Sequence, residues 1–318
     1  MRVAVLDDYQ GVARSCADWD SLSAEVEVFT EHISDADELV RRLEPFDVIA
    51  AMRERTGFPR AVLERLPELK LLVTTGMRNA AIDTEAAREL GVTVCGTGSG
   101  SSGWGATVEL AWGLIFALTR RIPEEDRGIR EGGWQRTIGL EIAGKTLGVA
   151  GLGRLGSHMA GVGKAFGMDV IAWSPNLTDE RAAEVGVRRV SKRELFGTSD
   201  VLSIHLVLSD RSRGLVSADD LALMKPTAYL INTSRGPIVD EPALRAALHE
   251  GRLAGAGIDV YESEPLPAGD PWRNTPRTVL TPHLGYVTEG TYQAFFRETV
   301  EDIAAFRDGE PIRVLNAG

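Results

Sequence analysis

Cysteine is scarce in this 318-residue chain, which carries only Cys16 and Cys95. Two thiols supply neither a disulfide framework nor a zinc cluster, so we expect no metal site. No run approaches the roughly 20 uninterrupted apolar residues that cross a bilayer. The start, MRVAVLDDYQ, also lacks the apolar core of a secretion signal. Together these absences predict a cytoplasmic protein without a membrane partner.

Positive charge is in short supply as well. The chain has 35 Lys+Arg against 46 Asp+Glu, a formal net charge of −11, which argues against nucleic acid as a partner. An anionic small molecule stays compatible with this balance, because a few arginines in one cleft can oppose the overall sign. Glycine, by contrast, is abundant: there are 34 copies, against about 22 expected from average usage. This excess predicts many tight backbone turns.

Short apolar runs alternate with longer amphipathic stretches along nearly the whole chain. The runs are apolar throughout, which is typical of parallel strands that helices cover on both faces. The predicted strands are 2–6, 47–52, 69–74, 92–95, 146–150, 169–173, 201–205, 228–232, 255–260 and 279–281. The predicted helices are 35–43, 59–66, 83–90, 106–121, 155–165, 192–197, 217–224, 241–249 and 288–307. This alternation predicts a doubly wound α/β architecture.

One segment interrupts the alternation. Residues 96–105 read GTGSGSSGWG, which is too polar and glycine-rich for a regular element, and composition alone also fits a flexible linker. The long apolar helix that follows it and the last long helix suggest that the chain crosses between two domains twice. We therefore expect one domain from 1–100 with 286–318, and a second from 101–285.

The segment GKTLGVAGLGRLG predicts a dinucleotide site, because a strand runs directly into a Gly-x-Gly-x-x-Gly pattern that opens a helix. Gly151 permits the tight turn, Gly153 lets the backbone approach a pyrophosphate, and Gly156 allows the helix to pack on the strand. About 20 residues further on, such sites place an acid on the ribose. Here Ser174 and Asn176 stand there instead, so the sequence leaves NAD and NADP open.

Three further segments place chemically active residues directly after predicted strands. NTSRGP carries Arg235, IDVYESEPL carries Glu264, and TPHLG carries His283. Because open α/β sheets bind ligands at the carboxyl ends of their strands, we expect these side chains to converge on one cleft. Arginine binds a carboxylate and polarises a carbonyl, histidine transfers a proton, and a carboxylate orients the imidazole. On composition alone Glu262 is as good a candidate as Glu264.

In this order, GLGRLG, NTSRGPIVDE, IDVYESEPL and LTPHLGY resemble the motifs of the D-isomer-specific 2-hydroxyacid dehydrogenase family. The resemblance covers nearly the whole chain and implies a Rossmann-type cofactor domain inserted into a flavodoxin-like substrate domain. It also implies hydride transfer between NAD(P) and C2 of a 2-oxo or D-2-hydroxy acid. In that reaction Arg235 binds the substrate carboxylate, His283 is the acid/base, and the family spacing selects Glu264 as its partner.

The resemblance implies further contacts to cofactor and substrate. Besides the three glycines, the implied cofactor-binding residues are Arg154, Leu155, Ser174, Thr233, Ser234, Arg235, Asp259, His283 and Tyr286. The implied substrate-binding residues are Arg53, Gly76, Met77, Arg78 and Arg235. Arg55 is the alternative to Arg53, and we expect it to face solvent. Arg78 stands where the family commonly has glycine, and both a reshaped pocket and an outward orientation stay open.

The family also implies a homodimer formed through residues 106–141. This segment carries more apolar side chains than one covering helix needs, namely Trp112, Phe116, Ile122, Ile129, Trp134 and Ile138. A competing function is a non-catalytic, dinucleotide-sensing corepressor, which the complete Arg235, Glu264 and His283 set disfavours. Oxidation of a non-acid such as formate is also disfavoured, because formate enzymes of this fold have glutamine at the position of Glu264.

Overall fold

The computed structural model describes residues 1–98 and 105–317. The chain divides into unit 1, Met1–Gly103 with Thr288–Gly318, and unit 2, Trp104–Val287. One buried apolar cluster lies in unit 1 and two others lie in unit 2, and these clusters have no residue in common. Each unit therefore has a core of its own, as independent domains do.

The regular elements are short and alternate as the apolar pattern predicts. The strands are β1 (Arg2–Val5), β2 (Glu25–Val28), β3 (Val48–Ala51), β4 (Leu71–Thr74), β5 (Thr93–Gly96), β6 (Thr146–Ala150), β7 (Asp169–Trp173), β8 (Arg188–Arg189), β9 (Val201–Ile204), β10 (Tyr229–Asn232), β11 (Gly255–Ile258) and β12 (Thr278–Leu280). The helices are α1 (Ala13–Cys16), α2 (Ala36–Leu43), α3 (Arg60–Leu63), α4 (Thr84–Glu89), α5 (Gly105–Thr119), α6 (Ile122–Arg130), α7 (Arg154–Ala165), α8 (Asp179–Val185), α9 (Lys192–Thr198), α10 (Ala218–Leu223), α11 (Glu241–His249) and α12 (Glu289–Arg307).

Unit 1 is built on a five-stranded parallel sheet in the order β2-β1-β3-β4-β5. This is the doubly wound order of flavodoxin. Every residue of β3 and β4 is buried, because helices cover both faces of the central strands. Helix α12 packs on β4 and α1, so the end of the chain completes a layer of this unit.

Unit 2 is built on a seven-stranded parallel sheet in the order β12-β11-β10-β9-β6-β7-β8. The order of its first six strands along the chain is that of a Rossmann fold. Successive strands are added on one side of β6 and then, from β9 onward, on the other. The crevice where a nucleotide binds is expected at the carboxyl ends of β6 and β9. The predicted fold class is therefore confirmed for both units.

Strands β6 and β7 and helix α11 have the predicted bounds. The apolar pattern does not predict β2, an edge strand whose EVEV sequence buries a single face. Helix α6, which is separated from α5 by Arg121 at a φ of +51°, was not predicted either. Within the segment 96–105, Gly96 pairs in β5 and Gly105 opens α5, while residues 99–104 lie outside the described part.

The apolar side chains of the predicted dimer segment divide into buried and exposed groups. Trp112 is buried in its own unit, where its ring packs 5.8 Å from Phe116 and 5.2 Å from Phe166. Trp112 therefore adds no exposed apolar surface to this segment. The apolar side chains left exposed in the segment are Ile122, Ile129, Trp134 and Ile138, and the last is 95% exposed.

Candidate active site

The turn between β6 and α7 accepts only glycine at two positions. Gly151 has a φ of +102°, and a Cβ there would lie 2.5 Å from the backbone oxygen of His205. A Cβ on Gly156 would overlap the backbone oxygen of Gly151. Gly153 has open space around it and caps α7 without a side-chain hydrogen bond, so the first N–H groups of the helix are uncapped. This cradle fits a dinucleotide pyrophosphate.

The end of β7 carries a hydroxyl where dinucleotide sites commonly have an acid. Ser174 follows Trp173 directly and is half-buried. Arg181 lies in α8, where its guanidinium contacts Ser157 Oγ at 2.9 Å and Glu184 Oε2 at 2.9 Å. In the first turn of α7, Arg154 is exposed and Leu155 packs against the core.

Three polar residues lie one position beyond neighbouring strands of unit 2. His205, Thr233 and Asp259 follow β9, β10 and β11, which pair in register. Within the described ranges, Thr233 Oγ1 and His205 Nδ1 are shielded from water and have no hydrogen-bond partner. Buried polar atoms are normally satisfied, so two such atoms beside the glycine turn fit a polar ligand at this edge. The residues present therefore fit a nicotinamide dinucleotide.

Asp259 organises the loop after β12. Its carboxylate accepts hydrogen bonds from Thr281 Oγ1 (2.6 Å) and from the N–H groups of Leu284 (2.7 Å) and Gly285 (3.0 Å). Its backbone oxygen accepts the N–H of His283 at 2.8 Å. Burial raises the pKa of Asp259, although the bond from Thr281 opposes that shift. These four bonds hold His283 at a φ of +53°, a conformation unusual outside glycine.

His283 and Glu264 form a close pair in this loop. Nδ1 of the imidazole lies 2.5 Å from Oε2 of Glu264, and the two side chains are 18% and 27% exposed. Oε1 of Glu264 accepts the N–H of Tyr261 at 2.9 Å. The ring of Tyr286 meets the imidazole edge-on at 5.4 Å. The carboxylate thus fixes one ring nitrogen, while Glu262, the rival candidate, is exposed.

Arg235 lies in a loop that its neighbours hold in place. Asn232 donates to the backbone oxygen of Arg235 at 3.0 Å and accepts the N–H of Ser234 at 3.0 Å. Ser234 Oγ donates to the backbone oxygen of Ile204 at 2.7 Å, which ties the loop to β9. The guanidinium of Arg235 donates to the Ser234 oxygen at 2.7 Å and is half-buried.

In unit 1 the loops after β3 and β4 bring Arg53 and Gly76 together. The N–H of Arg53 donates to Thr75 Oγ1 at 2.9 Å, and its guanidinium donates to the Thr75 oxygen at 3.1 Å. Gly76 has a φ of +99°, and a Cβ there would overlap that guanidinium. Met77 and Arg78 are exposed.

Arg55 was expected to face solvent, but its side chain is partly covered in the structure. Its guanidinium donates to the backbone oxygen of Asp7 at 2.6 Å and lies 4.4 Å from the centre of the Tyr9 ring. A longer bond of 3.4 Å reaches the hydroxyl of Tyr292 on α12. The side chain is half-buried because the loop after β1 packs over it.

Sequence reasoning missed several polar residues that hold these loops. Thr75 and Thr281 are among them, and Asn79 donates to the Arg53 oxygen at 2.6 Å. Thr75 and Thr281 directly follow a strand, and this position is the sign in the sequence that could have pointed to them.

Over the described residues, no helix is long and apolar enough to cross a membrane.

Comparisons with known proteins match this chain to a known family. Residues 112–285 match the family described as D-isomer specific 2-hydroxyacid dehydrogenase, NAD binding domain. A glyoxylate reductase from Aeropyrum pernix is 40% identical over 80% of this chain and 78% of its own length. A D-3-phosphoglycerate dehydrogenase from Synechocystis is 36% identical over 91% of this chain, which spans only 52% of that protein.

Among solved structures, a phosphoglycerate oxidoreductase from Vibrio cholerae has a TM-score of 0.92 and 36% identity, over 97% of this chain and 99% of its own. The family resemblance and the expectation of an NAD-dependent oxidoreductase are therefore confirmed, and the sensor alternative loses its support. This chain belongs to the D-isomer-specific 2-hydroxyacid dehydrogenases.

Proposed function

We propose that this enzyme interconverts a small 2-oxo acid and its D-2-hydroxy acid, with His283 as the acid/base. The 2.5 Å contact between His283 Nδ1 and Glu264 Oε2 carries the proposal. A carboxylate on Nδ1 fixes the ring orientation and stabilises the protonated imidazole, which leaves Nε2 to exchange a proton with the substrate oxygen. NADH supplies the hydride in the reducing direction.

Arg235 is the proposed substrate anchor. A guanidinium makes a forked pair with a carboxylate and polarises the adjacent carbonyl, and the loop bonds from Asn232 and Ser234 support a fixed position for it. Two relatives are named for glyoxylate reduction and phosphoglycerate oxidation, so glyoxylate is the first substrate to test. The substrate roles of the unit 1 residues Arg53, Gly76, Met77 and Arg78 stay predictions.

For the cofactor we propose two groups of contacts. The glycine turn with Arg154 and Leu155 receives the pyrophosphate, and Ser174 bonds the ribose. The unpartnered hydroxyl of Thr233 supports a nicotinamide position at the ends of β10 and β11. The further proposed contacts of that position are Ser234, Arg235, Asp259, His283 and Tyr286.

Replacement of His283 tests the acid/base role. His283→Ala removes the proton donor and should lower kcat by about 10²–10⁴ while NADH binding is retained. Arg235→Ala should instead damage both KM and kcat, because one group both holds and polarises the substrate. Turnover with glyoxylate and titration of NADH fluorescence measure the two quantities separately. A His283→Ala enzyme that kept most of its kcat would overturn the mechanism.

Two glutamates two residues apart provide a matched control. Glu264→Gln should lower kcat because the imidazolium loses its charged partner, whereas Glu262→Gln changes only an exposed side chain and should not. Equal effects of the two variants would contradict the assignment of Glu264.

We also propose that two copies of the chain pair through residues 106–141. The exposed Trp134 (74%) and Ile138 (95%) support this, because an interface there would remove large apolar side chains from water. Light scattering at micromolar concentration should give a dimer mass, and Ile138→Asp should weaken the dimer. Val207→Asp is the control, since Val207 is also exposed but lies outside the segment. A monomer mass for the unmodified enzyme would end the idea.

A further inference from the structure

The motif NTSRGPIVDE ends in a glutamate to which the mechanism gives no role. Glu241 is the first residue of α11 and is only 8% exposed. Its Oε1 accepts the backbone N–H of Glu262 at 2.9 Å, and its Oε2 accepts the indole N–H of Trp272 at 2.8 Å. Arg245, one helical turn on, lies 3.6 Å from Oε2. A buried carboxylate with both oxygens occupied in this way is held in one position.

The N–H groups of two consecutive residues are held by two different glutamates. Tyr261 donates to Glu264 Oε1 at 2.9 Å, and Glu262 donates to Glu241 Oε1 at 2.9 Å. Glu264 is the residue whose other oxygen contacts His283. The turn that presents Glu264 to the imidazole is therefore fixed from outside by Glu241.

The loop that carries Arg235 packs closely against the same turn. A Cβ on Gly236 would overlap the carbonyl carbon of Tyr261 and would lie 2.5 Å from the backbone nitrogen of Glu262. Trp272, the second donor to Glu241, is fully buried. Glu241 thus lies where the loops after β10 and β11 meet, and it also accepts the indole N–H of Trp272.

We propose that Glu241 is a positioning residue, which fixes the peptide between Tyr261 and Glu262 and thereby sets the contact between Glu264 and His283. This inference rests on the proposed function of that pair. Displacements of about 1 Å in a catalytic group are enough to cost catalysis heavily. The hydrogen bonds described for Glu241 go to the backbone N–H of Glu262 and to the indole of Trp272, so its effect should appear in kcat rather than in binding.

Glu241→Gln is the primary test variant. The amide keeps one acceptor oxygen but turns an NH₂ group toward the second N–H donor, so one of the two bonds is lost. We expect kcat to fall about tenfold, while KM for glyoxylate and Kd for NADH change less than about twofold. Glu250→Gln is the matched control, because Glu250 is exposed just beyond α11 and pairs with Arg252 on the surface. Unchanged kcat in a folded E241Q enzyme would overturn the proposal.

A double-mutant cycle with Glu264→Gln separates this inference from the proposed function. If Glu241 acts through Glu264, E241Q should lower kcat less than about twofold in the E264Q background. If E264Q lowers kcat and E241Q still acts in full on top of it, Glu241 has a separate role and the inference fails. If E264Q alone leaves kcat unchanged, the proposed function fails instead.

Trp272→Phe covers the case in which E241Q does not fold. It keeps an aromatic ring in the buried position and deletes only the indole N–H that Glu241 Oε2 accepts. We expect a smaller fall in kcat, about threefold, with the same loss of effect in the E264Q background. A folded Trp272→Phe enzyme with unchanged kcat, or with a full effect in that background, would overturn the proposal.

Discussion

Two imidazoles follow strands of unit 2, and their surroundings give them different chemistry. Desolvation lowers the pKa of His205 to about 4, while its Nε2 lies 2.8 Å from Ser203 Oγ. His205 therefore stays neutral near pH 7 and does not cycle a proton there. His283 instead has an oxygen of the Glu264 carboxylate 2.5 Å from its Nδ1. This contrast supports His283 over His205 as the acid/base.

Asp302 is the residue of unit 1 whose environment most clearly couples folding to pH. It lies on α12 with no exposed surface, and burial raises its pKa to about 7 although Arg313 Nε is 2.9 Å away. Glu298 and Glu301 oppose ionisation as well. In the unfolded chain the carboxyl group loses its proton near pH 3.9. Between these two values the folded state binds more protons, so its stability falls as pH rises.

Asp302→Asn should remove that dependence, because the amide resembles the protonated acid and cannot ionise. The free energy of unfolding of the variant, relative to the unmodified enzyme, should increase between pH 4 and pH 7 by at most about 4 kcal/mol. Chemical unfolding of both proteins across this range measures the difference. A difference that did not vary with pH would contradict the shifted ionisation.

At the scale of one element, the N-cap of α7 and two of the glycines inside this helix have different surroundings. Gly156 has no room for a Cβ, Gly153 has open space at the uncapped end of the helix, and Gly161 is exposed with no atom within 4 Å of a Cβ. The motif spacing already predicts a packing role for Gly156 and a phosphate-side role for Gly153, and the structure adds that Gly161 has neither kind of contact.

Three alanine substitutions test this assignment. Gly156→Ala should destabilise the enzyme by about 1–3 kcal/mol through overpacking. Gly153→Ala should leave the free energy of unfolding unchanged but weaken NADH binding, because the methyl group enters the space left for phosphate. Gly161→Ala should stabilise by up to about 1 kcal/mol, as in any exposed helix interior. Unfolding curves and NADH titrations distinguish the three outcomes, and tight NADH binding by Gly153→Ala would contradict the phosphate cradle.

Elements that are buried on both faces were predictable, and those at sheet edges were not. β6 is apolar along its whole length, so a search for apolar runs finds it. β2 alternates Glu and Val, and β8 consists of two exposed arginines that pair with β7 at the sheet edge. Such strands form because they pair with neighbouring strands, so no local run of apolar residues indicates them.

In the candidate site, too, some features were predictable from the sequence and others were not. The spacing of motifs singles out Arg235, Glu264 and His283, because family patterns preserve the groups that carry chemistry. The bonds that hold them, from Asp259 to the His283 loop and from Glu241 to Glu262, join residues about 20 positions or more apart. Which oxygen meets which N–H follows from how separate loops pack, and the sequence contains no local sign of it.

At the scale of the whole molecule, all the proposed cofactor contacts lie in unit 2. The two apolar clusters of this unit are built entirely from its own residues. Residues 104–287 expressed alone should therefore unfold cooperatively and bind NADH. Circular dichroism melting and NADH fluorescence measure both properties, and Gly156→Ala in the same segment is the control for a destabilised fold. A segment without a cooperative transition would show that its core depends on unit 1.

Protein synthesis separates the two units in time. Residues 1–98 leave the ribosome early, but α12, which packs on β4 and α1, is made after the whole of unit 2. Arg55 and its contact Tyr292 are 237 positions apart. At a synthesis rate of roughly 5–20 residues per second, α12 is made roughly 10–40 seconds after the strands of unit 1. Although it stands second in the sequence, unit 2 is the first to have its complete core available.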